Sequence, residues 1–147
     1  MWLLLTLACT PVTDDSATVT CTGPGALAWT LAMTTDLQVA MDEPAVGTFR
    51  GSVFAELDAT AIGPNDGATA LLDFTIADVD LSTTGIDSDT TTSDPIDPQI
   101  VWVLGCLDSD GNDCDNNDAV TIPNENKVEV VCGAPTAFEI YLGILQP

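Results

Sequence analysis

Residues 49–59, FRGSVFAELDA, alternate in character. Phe49, Val53 and Leu57, with the small Gly51, Ala55 and Ala59, fall on one face of an extended chain, and Arg50, Ser52, Glu56 and Asp58 fall on the other. Successive side chains of a β-strand point to opposite faces, so this period of two predicts a half-buried strand. The same period recurs on both sides of it. Residues 27–41 place Leu27, Trp29, Leu31 and Met33, then Leu37, Val39 and Met41, on one face, with Thr34, Thr35 and Asp36 marking a bend or a hairpin. Residues 70–76 turn Leu72, Phe74 and Ile76 inward, after which Val79 and Leu81 take over the apolar face. That change of parity predicts a β-bulge near Ala77, because one extra residue moves every later side chain to the other side.

QIVWVLGCL, residues 99–107, is apolar on both faces and reads as a central strand covered on both sides. Residues 127–132 group Val128, Val130 and Cys132, and residues 137–145 group Phe138, Ile140, Leu142 and Ile144 against Glu139 and Tyr141. No window gives a helical stripe. Turn residues cluster at 22–25, 42–44, 63–67, 108–113 and 122–126, while 82–98, with five Thr, four Asp and two Pro, reads as an unstructured loop. The expectation is an all-β fold: an antiparallel β-sandwich of about seven or eight strands, one domain over residues 26–147. The immunoglobulin variant is excluded, because Cys21 and Trp29 are too close and no Cys follows a Tyr at the required interval.

The chain has 147 residues and a net charge of −21, from 23 Asp and Glu against only Arg50 and Lys127. A surface of that sign repels phosphate backbones and anionic head groups, which excludes nucleic acid as a partner, and it attracts basic partners and divalent cations. A saline habitat, where screening relieves self-repulsion, explains the same balance. Eighteen of the acids are Asp, a bias toward turns over helices.

The first nine residues, MWLLLTLAC, run from an apolar stretch into Ala8 and Cys9, and a polar run with two acids follows. This resembles the signal of bacterial lipoproteins: Thr6, Leu7, Ala8 and Cys9 occupy the four lipobox positions, with the Leu one place late and no Lys or Arg ahead of it. The resemblance implies a signal peptide over 1–8, lipidation at Cys9 and a tether over 9–25. It also implies an exported protein at the bacterial outer membrane or cell surface, since Thr10 rather than Asp follows the cysteine, with membrane contact through the lipid anchor only. The competing reading makes residues 2–8 a first strand and Cys9 a buried thiol. A transmembrane helix is excluded, since crossing takes about 20 apolar residues.

Five cysteines, at positions 9, 21, 106, 114 and 132, leave an even four once Cys9 is acylated. Of the three pairings, Cys106 with Cys114 is favoured, because they flank a short acidic loop, and Cys21 with Cys132 then follows by elimination. Zinc is a poor use of them: there is no C-x-x-C pair and no histidine.

DSDGNDCDNND, residues 108–118, resembles the calcium loops of EF-hands and thrombospondin type 3 repeats. Asp108, Asp110 and Asn112 stand at the 1, 3, 5 spacing of oxygen ligands, but position 6 is Asp113 instead of Gly and position 12 is Ala119 instead of an acid. What this leaves is an irregular Ca²⁺ site formed by Asp108, Asp110, Asn112, Asp113 and Asp115, against a solvated turn rich in Asp and Asn for conformational reasons. Catalysis has little to draw on. Without histidine there is no Ser-His or Cys-His pair, and of the sugar platforms Trp29, Trp102 and Tyr141 the two tryptophans read as core. The functional expectation is a structural or binding module without catalysis and without a cofactor, meeting a protein or glycan partner. A calcium-dependent adhesion or carbohydrate-binding module is the alternative, and a small hydrolase working through carboxylates the third reading.

Overall fold

A computed structural model describes residues 22–41, 43–115 and 117–146; residues 1–21, with the expected signal, Cys9 and Cys21, lie outside the described residues. The elements in chain order are β1 (Leu27–Met33), α1 (Thr35–Ala40), β2 (Val46–Ala55), β3 (Ala59–Thr60), β4 (Gly63–Pro64), β5 (Leu72–Asp80), β6 (Ile86–Thr92), β7 (Gln99–Asp108), β8 (Ala119–Thr121), β9 (Lys127–Val130) and β10 (Thr136–Leu145). Single 3-10 turns occupy Glu56–Asp58 and Pro123–Glu125. The main sheet runs β5-β2-β7-β8-β10-β1-β6, with β9 beside β8 on the same edge of β7, and β3 and β4 form a separate small hairpin. The strands at the two ends of the order, β5 and β6, are consecutive in the chain, so the sheet curls until it nearly closes into a barrel.

The all-β expectation holds, but the strands form one mixed sheet in place of an antiparallel sandwich. The reason is a pairing that no local pattern encodes. β1 lies parallel to β10, from Leu27 opposite Thr136 to Met33 opposite Leu142, and this ladder joins into one sheet what would otherwise be two.

Inward-facing residues fill the interior: Leu27, Trp29 and Leu31 of β1, Phe49 and Val53 of β2, Val101, Val103 and Leu107 of β7, Ile140 and Leu142 of β10 are all buried. The Trp29 indole stacks on Phe74 of β5 with centroids 4.0 Å apart, closing the interior where the sheet order ends. Gly51 and Gly105 face each other across β2 and β7. A Cβ on Gly51 would stand 2.5 Å from Phe74 Cζ and 2.6 Å from Phe49 Cε1, so the missing side chain is the space those rings use. The expected double cover of β7 is present as well. On its outer side Trp102 and Leu104 pack with Phe54 and Ala59 in a second apolar cluster.

The parity switch in β5 is a bulge: Phe49 pairs Ile76 while Gly47 pairs Val79, which gives β5 one extra residue around Ala77 and Asp78, and Asp78 takes φ of 58°. A second bulge escaped the sequence reading. Leu142 pairs Thr121 while Ile144 pairs Val120, so Gly143 is the extra residue of β10, Ile144 turns outward, and Leu145 packs against the core instead.

Three local expectations are corrected. Thr35–Ala40 are helical: Thr34 caps α1 by accepting the Leu37 N–H at 3.1 Å, and Leu37 and the C-cap Met41, four apart, are buried while Val39 is 82% exposed. β2 ends at Ala55, which leaves Leu57 87% exposed in the following 3-10 turn. Residues 82–98 are structured. Thr90, Thr91 and Thr92, β-branched and suited to a pleated surface, help form β6 against β1, and Ile96 exchanges backbone bonds of 2.8 and 2.9 Å with Gly25. In the turn between β5 and β6, Ser82 donates its N–H and Oγ–H to Asp80 Oδ1 at 3.0 and 2.6 Å. The Oγ–H bond, then the N–H bond, holds this exposed carboxyl below its ordinary pKa.

Candidate functional site

The 108–118 loop leaves β7 and enters β8 on the outer face of the sheet, and its acids divide into two kinds. Asp108 and Asp118 are buried. Asp108 Oδ1 accepts the Gly111 N–H at 2.8 Å and Oδ2 accepts Arg50 Nε–H at 3.1 Å; Asp118 Oδ2 accepts the Asp115 N–H at 3.0 Å and Oδ1 the Ser109 N–H at 3.3 Å. Both carboxylates therefore serve as caps for the loop's own backbone, which offsets the cost of burying them. Asp110, Asp113 and Asp115 are exposed. Asp110 binds Asn112 twice, its side-chain amide at 2.7 Å and its backbone N–H at 3.2 Å.

Gly111, Asp113 and Asn117 all have positive φ, of 81°, 73° and 78°. Gly, Asp and Asn enter that region at least cost, so much of the loop's composition is turn chemistry. The loop is held on three sides. Cys106 and Cys114 form the expected disulfide, with Cα atoms 6.0 Å apart. Arg50, directly across from Cys106 in the β2–β7 register, reaches Asp108 with Nε and Asp113 Oδ1 with Nη2 at 3.3 Å. Gln146 accepts the Asn117 N–H and donates to Asp118 O, each at 2.9 Å. Cys132 is disulfide-bonded too, while Cys21, its expected partner, lies outside the described residues.

Of the five residues expected to ligate calcium, Asp108 is turned to protein donors, Asn112 to Asp110, and Asp113 to Arg50. Among the described residues, no three His, Cys, Asp or Glu side chains converge as a metal site would require. Sequence reasoning missed Arg50 and the buried capping role of Asp118. Arg50 carried one usable signal, as one of two cations in the chain placed on the outer face of β2; Asp118 carried none that set it apart from its neighbours.

An open cleft of about 490 Å³ adjoins the loop, where Ser52 Oγ–H donates to Asp73 Oδ1 at 2.6 Å between Arg50 and Thr75. The arrangement positions polar groups without a proton acceptor of the histidine kind, which the chain lacks. Trp29 is 1% exposed, and Trp102 is buried beneath Lys127, whose ammonium lies 5.0 Å from the ring centroid and 2.6 Å from Glu56 Oε1. Neither ring is open as a stacking platform for a sugar. The chain matches no protein-family model, no curated protein and no solved structure.

Proposed function

We propose that this protein is an exported, lipid-anchored structural or binding module of a bacterial outer membrane or cell surface, acylated at Cys9 and without catalysis of its own. The Cys106–Cys114 disulfide carries the reading, because such bonds persist outside the reducing cytosol. The oxidised state of Cys132 supports it and fits a second bond to Cys21. Residues 9–25 act as the tether, and the sheet from residue 26 onward is the module. Its partner is a protein or a glycan, met by an acidic surface that turns nucleic acid away. Intact mass spectrometry of the native protein is the test: the expected mass is that of a chain starting at diacylated or triacylated Cys9, and an unmodified Cys9 or another mature N-terminus refutes it.

Calcium-dependent adhesion is the second reading. It is favoured by the exposed carboxylates of Asp110 and Asp115 on a loop held by a disulfide and an ion pair. Calcium bound there stabilises the fold by mass action, whereas monovalent salt only screens. Melting in millimolar CaCl₂ against NaCl of equal ionic strength separates the two. No stabilisation beyond NaCl, or a full calcium effect retained in Asp110→Asn with Asp115→Asn, ends this reading.

A further inference from the structure

The β3–β4 hairpin stands off the outer face of the sheet, and between them runs an apolar groove of about 460 Å³ lined by Ile62, Pro64, Leu104, Val120, Pro123 and Ile144 among others. Two of these side chains are where a folded chain gains nothing from them. Ile62, at the hairpin tip, is 97% exposed, and Ile144 is half exposed only because the Gly143 bulge turns it away from the core. Bulges re-aim side chains in this way at sites of use. The one hydroxyl in the lining, on Thr121, accepts the Gly105 N–H at 3.0 Å and is committed to backbone. The groove therefore offers apolar contact and almost no hydrogen-bonding capacity, and no acid or base lines it, on a chain whose net charge is −21. Both cations of the chain are already ion-paired, Arg50 with Asp108 and Asp113 and Lys127 with Glu56. A second copy would add another charge of −21 and no free cation, so charge complementarity selects a different occupant.

We infer that this groove seats a cationic, apolar segment of a partner protein, with aliphatic side chains between Ile62 and Ile144 and Lys or Arg directed outward to the strongly acidic chain around it. The inference rests on the reading of the protein as a binding module and names its partner's chemistry. The probes are two short synthetic peptides titrated against the full chain at physiological ionic strength, one alternating Leu with Lys, the other Ser with Lys. The Leu-Lys peptide is expected to bind with NMR shifts centred on Ile62, Leu104 and Ile144, and the Ser-Lys peptide at least about tenfold more weakly. Ile62→Asp and Ile144→Asp each weaken the Leu-Lys peptide by about tenfold or more, and Ile62→Asp, at a side chain 97% exposed, keeps the wild-type melting temperature, so its loss of binding is not a loss of fold. Equal binding of the two peptides, wild-type affinity in the variants, or shifts centred on residues 108–118 overturns the proposal. So does self-association abolished by Ile62→Asp, which would make a second copy the occupant. An unacylated Cys9 leaves these titrations unchanged, so the groove and the anchored-module reading fail separately.

Discussion

Asn126 is fully buried, at 0% exposure, and every atom of its amide is used. Its Nδ2 donates to Ile122 O and Tyr141 O, each at 2.8 Å, and its Oδ1 accepts the Tyr141 N–H at 2.8 Å, so one side chain joins the Pro123–Glu125 turn to β10. Asn126→Ala strips the acceptor from the Tyr141 N–H and the bridging donor from two carbonyls. The carbonyls keep a second donor each, Glu125 N at 3.1 Å for Ile122 and Ile122 N at 3.3 Å for Tyr141, so the orphan is the Tyr141 N–H. A buried unpaired donor costs about 1–3 kcal/mol and each of the other lost bonds about 1, for a total of about 3–5 kcal/mol. Against a whole stability of about 5–15 kcal/mol that is a large share, and it lowers the melting midpoint by roughly 10 °C or more. Asn126→Asp sharpens the test. It keeps an oxygen for Tyr141 but aims a second one at two carbonyls, which repels the ionised form and suits the protonated one, whose O–H donates. The folded pKa then lies above the unfolded value of about 4, so the variant's stability relative to wild type is best below that pH and is lost as pH rises through the folded pKa. Urea denaturation of wild type and both variants at acidic and neutral pH reads both effects. A loss under about 1 kcal/mol in Asn126→Ala, or an Asn126→Asp penalty no larger at neutral than at acidic pH, refutes the account.

Gly51→Ala is expected to cost about 1–3 kcal/mol by overpacking Phe49 and Phe74, measured by denaturant midpoint at unchanged m-value. Arg50→Met leaves the Asp108 carboxylate, 2% exposed, with the Gly111 N–H alone; because Arg50 itself is 43% exposed and screened, the loss is about 2 kcal/mol in low salt, less at high salt, by thermal melting. Cys114→Ser opens a disulfide spanning 8 residues, worth about 2–3 kcal/mol, and Cys132→Ser, on the proposed pairing with Cys21, opens a loop of over a hundred residues worth about 4–5, so its melting temperature is the lower of the two. Ser82→Ala raises the Asp80 pKa toward the ordinary carboxylate value by removing the Oγ–H bond; in wild type this interaction favours the fold above the unfolded pKa and is lost as pH falls through the lowered folded one, which NMR titration of the Asp80 carboxyl checks.

Legibility in the sequence followed how local each feature is. The bulge at Ala77 and Asp78 was readable because polar residues flank it and expose the change of parity. The one at Gly143 was not, because Ile144 and Leu145 are both apolar and alternation looks the same through either. Helix α1 spans six residues, under two turns, too short for its i, i+4 pair of Leu37 and Met41 to outweigh a strand pattern in which Val39 also fits. β6 resembles a loop in sequence because its Asp and Ser suit turns, although its threonines suit strands. In the acidic loop the disulfide was legible from spacing. The division of its acids into buried caps and exposed carboxylates was not, since that depends on Arg50 and on where backbone N–H groups point.

The parallel ladder of β1 and β10 also sets when this protein can exist as a fold. Its partners are more than a hundred positions apart, and β10 further supplies the other neighbour of β8. Until Thr136–Leu145 have been synthesised, β1 lacks the strand between it and the rest of the sheet, and Leu27, Trp29 and Leu31 have no closed interior to enter. Contacts of such long range assemble slowly, because the loop-closure entropy is spent before they return anything. The sheet therefore cannot be completed before its last strand is made, however early the ladders of β2, β5, β7, β8 and β9 form.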